Sequence, residues 1–163
     1  MQKNEVMNDF KKLCEIPHCS YETEQMREFL GDFARSQGFS VNVDEAGNIH
    51  AVKGEPKICL QSHYDMVCVG AAPNLELIEE NGILRAKNST LGADDGIGVA
   101  MMMGAMREFA NLECLFTNDE EVGLVGANAF KGKILSPNLL NLDSEEDDRV
   151  TLGCAGGINV SAK

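Results

Sequence analysis

The chain has 163 residues, of which 44% are hydrophobic, and a formal net charge of -12 at pH 7. This composition is typical of one folded domain with a buried core, and it excludes a fibrous or disordered chain. The negative charge disfavours binding to nucleic acid or to an anionic membrane surface, and no apolar run approaches the ~20 residues of a membrane helix. The first ten residues are polar and mixed in charge, unlike a signal peptide.

Hydrophobic spacing predicts two amphipathic helices at the start of the chain. Apolar residues recur at helical spacing over residues 5–15, and Pro17 ends this helix. Ser20 is interpreted as the N-cap of a second helix, which carries one buried apolar stripe and stops at Gly38.

Strands and helices alternate in the rest of the chain. The predicted elements are strands near residues 41–43 and 49–51, a strand at 58–61, a hairpin over 75–87 around Asn81-Gly82, a helix at 95–109, a strand at 112–117, a short helix near 123–130, a strand at 139–142, and one or two strands within 150–162. This alternation predicts an α/β fold with a mainly parallel central sheet flanked by helices.

Six cysteines are scattered along the chain without a CxxC pair, namely Cys14, Cys19, Cys59, Cys68, Cys114 and Cys154. Two of them fall in apolar runs that resemble buried strands. Buried thiols behave as small hydrophobic groups, so we expect all six to be reduced and structural. A cytoplasmic location follows from this expectation.

Ligand-type side chains gather where three predicted strands end and where one helix begins. The four clusters lie at residues 62–65, 92–96, 117–121 and 143–145. In open α/β sheets, sites form at the carboxyl ends of the parallel strands. We therefore expect the four clusters to meet at one edge of the sheet.

The residue types in these clusters favour a divalent metal site. One imidazole with several carboxylates suits zinc, with manganese and cobalt as alternatives. Facing carboxylates repel unless cations lie between them, and two metals bridged by one carboxylate would relieve that repulsion. Two such metals can also lower the pKa of a water between them to ~7, and a neighbouring carboxylate can carry its proton.

Each cluster alone is more often structural, because an Asp pair commonly caps a helix and a lone His after a strand is seldom a ligand. The combination of four clusters is what predicts a site. We expect His18, His50 and the acidic loop at 145–148 not to bind metal. The glycines at 92–98 lack the pattern of a phosphate-binding loop, and no Ser or Cys has the context of a nucleophile.

Five long motifs, in order along the chain, carry a family resemblance. They lie at residues 63–67, 89–98, 115–124, 140–146 and 153–157, and the likeness spans essentially the whole chain. They closely resemble the aminoacyl-histidine dipeptidases (Xaa-His dipeptidases, peptidase D) of the M20 metallopeptidase family. The resemblance implies a zinc-peptidase-like catalytic domain that acts on small peptides.

The resemblance also implies a role for six residues. His63 and Asp143 would bind one metal, Asp94 would bridge both metals, Glu121 would bind the second, Glu120 would be the general base, and Asp65 would orient the imidazole. It further implies that the Asp94–Asp95 peptide is cis.

The chain departs from the family pattern in three respects. The family has a final metal-binding His near the end of a longer chain and an inserted lid domain, and neither is found in these 163 residues. We therefore expect residues 1–163 to be the N-terminal portion of a catalytic domain, with little or no activity alone; the full-length protein could form a homodimer. Tyr64 also stands where a small residue is expected.

Three functions remain open at this stage. The first is a two-metal dipeptidase that hydrolyses short peptides, including those with a C-terminal histidine. The second keeps the site but takes N-acyl amino acids or other amides as substrates. The third is a truncated domain that binds metal without turnover.

Overall fold

The computed structural model describes residues 3–144 and 151–152. Its elements follow the predicted order from the first helix to the strand before the last motif. They are α1 (Lys3–Cys14), α2 (Glu24–Ser36), β1 (Ser40–Val43), β2 (Ile49–Lys53), β3 (Cys59–His63), β4 (Leu77–Glu80), β5 (Ile83–Ala86), α3 (Ala93–Glu108), β6 (Leu112–Thr117), α4 (Val125–Ala129) and β7 (Leu139–Asn141). The predicted acidic loop at 145–148 and the last motif lie outside the described residues. So do the strands predicted within 150–162, except for Thr151 and Leu152, which have no regular structure.

The central sheet has five strands in the order β1-β2-β6-β3-β7. Strand β3 pairs in parallel with both β6 and β7, whereas β1 with β2 and β2 with β6 are antiparallel. The α/β class and the helix-flanked sheet are therefore confirmed, although only the half of the sheet around β3 is parallel. The β1–β2 pair is antiparallel because β1 returns into β2 through a tight turn at Gly47, where φ is +89°.

The parallel half carries the three strands that lead into ligand clusters. Residues Cys59 to His63 lie opposite Glu113 to Thr117, so β3 and β6 end side by side. Strand β6 is buried at every position, and α3 packs against β3 and α1. Core side chains from three elements, including Phe10, Met102 and Phe116, fill the space between them. This packing holds the carboxyl edge of the sheet on a rigid base.

A separate two-stranded hairpin forms from β4 and β5, as predicted. Its two-residue loop is Asn81-Gly82, with φ values of +53° and +77°. Such positive φ values at both central residues fit the twist of a tight hairpin, which is why Asn-Gly is favoured there.

The interpretation of Ser20 as a helix N-cap was wrong. Helix α2 begins at Glu24, with Thr23 in the N-cap position. The Ser20 hydroxyl instead donates to Asp65 Oδ2 at 2.8 Å, and the Thr23 hydroxyl donates to Asn118 Oδ1 at 2.8 Å. Both hydroxyls therefore bind loops at the sheet edge rather than the helix backbone.

The expectation that all cysteines are reduced was also wrong, because Cys19 and Cys68 form a disulfide. The two loops that carry them run side by side and bring their Cα atoms to 5.5 Å. Three others, Cys14, Cys59 and Cys114, are free and buried as expected, and Cys154 lies outside the described residues. Burial raises the pKa of Cys14 to about 11 and that of Cys59 to about 12, so these thiols stay protonated at neutral pH.

Within the described residues, no helix has both the length and the apolar character needed to cross a membrane.

Candidate metal centre

His63 ends β3 and is 1% exposed. Its Nδ1 lies 3.0 Å from the main-chain oxygen of Asp65 and 3.5 Å from the Asp65 carboxylate. A carbonyl oxygen can only accept a hydrogen bond, so Nδ1 carries the proton and donates it. The Nε2 atom is then the one that faces the site and can bind a cation.

Carboxylates from two other elements approach this Nε2 atom. Asp94 Oδ1 lies 3.1 Å away and Asp143 Oδ2 lies 4.0 Å away. One ligand atom each from His63, Asp94 and Glu121 lies within 4.8 Å of the others. Two ligands bound at ~2.1 Å to a tetrahedral zinc are ~3.4 Å apart, so small shifts would let this group hold one ion.

Asp94 lies at the start of α3, where the backbone has non-helical φ and ψ angles. Gly92 has a φ of +71°, and the Asp94–Asp95 peptide is cis, which confirms the form implied by the resemblance. The Asp94 side chain is 63% exposed, while Asp95 is buried and its Oδ1 accepts the Gly98 N–H at 3.1 Å. The two adjacent acids therefore point to different surroundings, and only Asp94 is open to the solution.

Asp65 lies behind His63 and connects three segments. Its Oδ1 accepts the Glu120 N–H at 2.9 Å, and its Oδ2 accepts the Ser20 hydroxyl at 2.8 Å and the Glu121 N–H at 3.4 Å. Burial alone would raise the pKa of Asp65, but the hydrogen bonds from His63, Glu120 and Ser20 lower it below its usual value. This buried carboxylate therefore stays ionised and fixes the imidazole relative to the loop after β6.

Opposing effects set the charge of His63. Burial lowers its pKa, yet the hydrogen bonds to Asp65 and Asp94 and the charge of Asp143 outweigh burial and raise the pKa to about 10. The surrounding carboxylates thus create a strongly negative potential at Nε2, and a metal ion that bound there would displace the proton from this nitrogen. A divalent cation at this position would satisfy the same carboxylates.

Glu120 and Glu121 follow β6 and face the same group. Burial raises the pKa of both carboxyls, and the negative charges of Asp94 and Asp65 raise it further, against the opposing charge of His63. Crowding of this kind favours bound cations, because like charges at short range otherwise disfavour ionisation. The donor set of one imidazole nitrogen and several carboxylate oxygens fits zinc, manganese or cobalt.

Two hollows flank Asp94. One has a volume of about 290 Å³ and is lined mainly by apolar groups, including Met66, Val67 and Leu91, with Asp94 and Glu121 at its polar end. The other has a volume of about 350 Å³ and lies between the start of α3 and the segment after β7, beside Asp143. A small molecule could therefore occupy space on either side of the carboxylate that is nearest to His63.

The structure brings all six predicted site residues to this edge of the sheet. His63, Asp94 and Glu121 form the closest group, Asp143 approaches from β7, and Asp65 and Glu120 are joined by a hydrogen bond. Sequence reasoning missed Ser20, because a Ser before a run of Glu residues is also typical of a helix N-cap.

The side chains of His18, His50 and Tyr64 have hydrogen-bond partners outside the candidate metal centre. His18 Nδ1 lies 2.5 Å from the main-chain oxygen of Ile16, and His50 Nε2 lies 2.6 Å from a carboxylate oxygen of Glu113. The Tyr64 ring is buried, and its hydroxyl donates to the main-chain oxygen of Gly47 at 2.8 Å. Tyr64 thus fastens the turn between β1 and β2.

Comparison with known proteins shows that this chain is similar to peptidases. The "Cytosol non-specific dipeptidase" of Escherichia coli (strain K12) is 34% identical over 173 residues, covering 94% of this chain and 36% of that protein. An aminoacylhistidine dipeptidase from Vibrio alginolyticus has 31% identity and a TM-score of 0.81, over 90% of this chain and 34% of that chain. A tripeptidase from Staphylococcus aureus, with 23% identity and a TM-score of 0.82 over 90% of this chain and 45% of that one, shares the fold.

The chain thus spans about a third of the length of the two dipeptidases that it matches. The Vibrio structure confirms the resemblance to aminoacyl-histidine dipeptidases. The family model that matches is, however, designated M28 rather than M20. It is the model "Peptidase family M28", and it covers residues 47–146, which include all six predicted site residues. Because this match extends over more than half of the sequence, the chain belongs to peptidase family M28.

Proposed function

We propose that this chain carries the metal-binding part of a dipeptidase active site. One observation carries the proposal: separate segments bring ligand atoms of His63, Asp94 and Glu121 within 4.8 Å of one another. The names of the Escherichia coli and Vibrio alginolyticus relatives, both dipeptidases, support a short peptide as the substrate.

The proposed centre holds two divalent metals, with zinc as the best fit to the donor set. His63 and Asp143 would hold one ion, Glu121 the other, and Asp94 both. When bound, the ions would polarise the scissile carbonyl and lower the pKa of a water molecule.

The chain's own residues then have distinct tasks. Asp65 keeps the proton on His63 Nδ1, which leaves Nε2 available as a ligand. Glu120 takes a proton from the attacking water and delivers it to the leaving amine. Its position is supported by Asp65, which accepts the Glu120 N–H at 2.9 Å. The apolar hollow beside Asp94 would receive a side chain of the peptide.

Among the residues that the structure describes, the second ion would have fewer ligands than a catalytic zinc needs. Asp94 and Glu121 provide two, whereas catalytic zinc sites commonly have three protein ligands. We therefore propose that residues 1–163 form the N-terminal portion of a catalytic domain, and that they show little turnover alone. The greater length of both dipeptidase relatives supports this.

Cellular location and assembly are proposed on separate grounds. The name of the Escherichia coli relative supports a cytoplasmic location, whereas the Cys19–Cys68 disulfide argues against it, because disulfides are rare in reducing compartments. A homodimer is proposed only for a longer protein that contains this chain.

Activity can be tested in a chimera in which this chain replaces the matching third of the Escherichia coli dipeptidase. We expect the zinc-loaded chimera to hydrolyse dipeptides such as Ala-His and to leave N-acetyl amino acids intact. Glu120→Gln should abolish hydrolysis, because it removes the general base, while zinc affinity changes less than about threefold.

Circular dichroism and zinc content establish that the chimera and the variant are folded and loaded. Hydrolysis of N-acetyl amino acids instead of dipeptides would support an amide hydrolase. A folded chimera that binds zinc and hydrolyses neither class would support a domain without turnover. Retention of full activity in the Glu120→Gln chimera would contradict the role of Glu120.

A further inference from the structure

We infer that Ser20 is a positioning residue of the metal centre, acting through Asp65. This inference rests on the proposed function. The Ser20 hydroxyl donates to Asp65 Oδ2 at 2.8 Å, the shortest contact that this carboxylate makes. Ser20 lies in the loop between α1 and α2, outside the four clusters that supply the ligands.

Both oxygens of the Asp65 carboxylate accept hydrogen bonds from other segments of the chain. An ionised carboxylate has about four lone-pair sites, two on each oxygen. Oδ1 faces His63 Nδ1 at 3.5 Å and the Glu120 N–H at 2.9 Å, while Oδ2 accepts from Ser20 and, at 3.4 Å, from the Glu121 N–H. Ser20 therefore provides the one short bond that fixes Oδ2.

The position of the Ser20 hydroxyl is itself held firmly. The Ser20 N–H donates to the main-chain oxygen of Met66 at 3.1 Å, and the Met66 N–H donates to that of His18 at 3.0 Å. The Cys19–Cys68 disulfide joins the same two loops. Two main-chain hydrogen bonds and one disulfide thus hold the Ser20 loop in place beside Asp65.

Loss of the hydroxyl would free the carboxylate to rotate. In Ser20→Ala, Oδ2 keeps only the 3.4 Å bond from Glu121, which is long for an N–H···O bond. A carboxylate that can rotate would hold neither the Glu120 N–H on Oδ1 nor the Glu121 N–H on Oδ2 in a fixed position. The Asp65 carboxylate would then no longer fix the position of the His63 imidazole relative to the loop that carries Glu121.

The first test needs no metal. Amide hydrogen exchange of the wild-type chain and of Ser20→Ala is followed by NMR, and we expect the Glu120 and Glu121 amides to exchange at least about threefold faster in the variant. Ser20→Thr keeps the hydroxyl and should restore slow exchange. Ser36→Ala is the control, because the Ser36 hydroxyl donates to Phe33 in an exposed part of α2.

The second test measures zinc affinity by calorimetry in the same variants. Removal of a group that orients a metal ligand typically costs about 10–100-fold in affinity. Ser20 acts one contact further away, through Asp65, so we expect a loss at the lower end of this range, about tenfold, for Ser20→Ala. Affinity in Ser20→Thr and Ser36→Ala should stay within about threefold of wild type. A purely structural Ser20 would lower the unfolding temperature without a selective effect on these two amides or on zinc.

The two tests separate the two claims. Unchanged exchange at Glu120 and Glu121 in Ser20→Ala overturns the role of Ser20, whatever the chain does with zinc. A wild-type chain that binds no zinc contradicts the ligand assignment, while faster exchange in Ser20→Ala would still support Ser20 as the residue that positions Asp65.

Discussion

At the scale of single residues, the buried Asp95 carboxylate lies against the backbone of α3. Its Oδ1 accepts the Gly98 N–H at 3.1 Å, and its Oδ2 is buried without a hydrogen-bond partner among the described residues. A Cβ atom on Gly98 would lie only 2.3 Å from Oδ1 and 2.6 Å from Oδ2. The glycine is therefore required for the carboxylate to lie against the helix backbone.

Gly98→Ala should destabilise the protein. Because the methyl group would collide with the Asp95 carboxylate, we expect the free energy of unfolding to fall by about 1–3 kcal/mol, as measured by urea denaturation. Gly31→Ala is the matched control in α2, where the nearest obstacle is the flexible Arg35 guanidinium at 3.3 Å. The control should be neutral or gain up to ~1 kcal/mol of helix stability. Equal free energies of unfolding for Gly98→Ala and wild type would contradict this prediction, because they would show that the start of α3 accommodates the methyl group.

Glu113, which lies away from the metal centre, makes the free energy of unfolding depend on pH. It is fully buried in β6 and accepts the main-chain N–H groups of Leu135 at 2.9 Å and Ser136 at 2.7 Å, and it lies 2.6 Å from His50 Nε2. Burial raises the pKa of Glu113, but the bonds from Ser136, Leu135 and His50 outweigh burial and hold the pKa below its usual value of 4.5.

Because the folded pKa lies below the unfolded pKa, the ionised Glu113 stabilises the fold above about pH 4.5, and this stabilisation is lost as the pH falls through the folded value. Urea unfolding between pH 6 and pH 3 should therefore show a smaller loss of stability in Glu113→Gln than in wild type. The difference between the two curves isolates Glu113 from other carboxyl groups. Parallel curves would contradict this assignment.

At the scale of elements, the disulfide fixes the α1–α2 loop to the loop after β3. Cys19 and Cys68 are 49 residues apart, and chain-entropy arguments assign a closed loop of that size about 4 kcal/mol of stabilisation. Measured values are typically about 2–4 kcal/mol. The link thus contributes a substantial part of the stability of an ordinary domain.

Reduction of the disulfide should lower the free energy of unfolding by about 2–4 kcal/mol while leaving the sheet intact. The measurement is urea denaturation with and without dithiothreitol, compared with Cys68→Ser, which removes the link permanently. Dithiothreitol should have no effect on Cys68→Ser, because the remaining described cysteines are buried free thiols or lack a partner. A wild-type protein whose stability does not respond to the reductant would contradict a stabilising role for the disulfide.

Most elements could be predicted because their causes are local. A short run of residues is enough to predict each of three features: the apolar stripe of α2, the Asn81-Gly82 loop of the β4–β5 hairpin, and the apolar face of β6. The convergence of the ligand clusters also followed from a local rule, since strand ends of a parallel sheet share one edge.

The predictions that failed depend on contacts between distant segments. The Ser20 hydroxyl could cap a helix or bind Asp65, and only the fold brings Asp65, 45 residues later, within reach. Cys19 and Cys68 have no sequence spacing that indicates pairing, because their loops meet only when Met66 pairs beside Cys19. The antiparallel pairing of β2 with β6 likewise depends on which strand lies next to β6.

At the scale of the whole molecule, several carboxylates from separate segments meet at one edge of the sheet. The chain carries a net charge of -12, and carboxylates that follow β3, β6 and β7 meet there with the start of α3. A buried core below that edge fixes the strands, while the carboxylate of Asp94 stays open to solvent. This arrangement places a negative electrostatic potential where a cation can enter. The packed core keeps the ligand-bearing strands in place, while the site itself remains accessible.

Zinc titration of the 163-residue chain by calorimetry tests the central claim most directly. Asp94→Ala removes the carboxylate nearest to His63 Nε2, and Asp32→Ala removes an exposed carboxylate that is paired with Arg35. We predict one clear zinc site in wild type, at least about tenfold weaker binding in Asp94→Ala, and unchanged binding in Asp32→Ala. No binding to wild type, or equal binding to wild type and Asp94→Ala, would contradict the assigned metal centre.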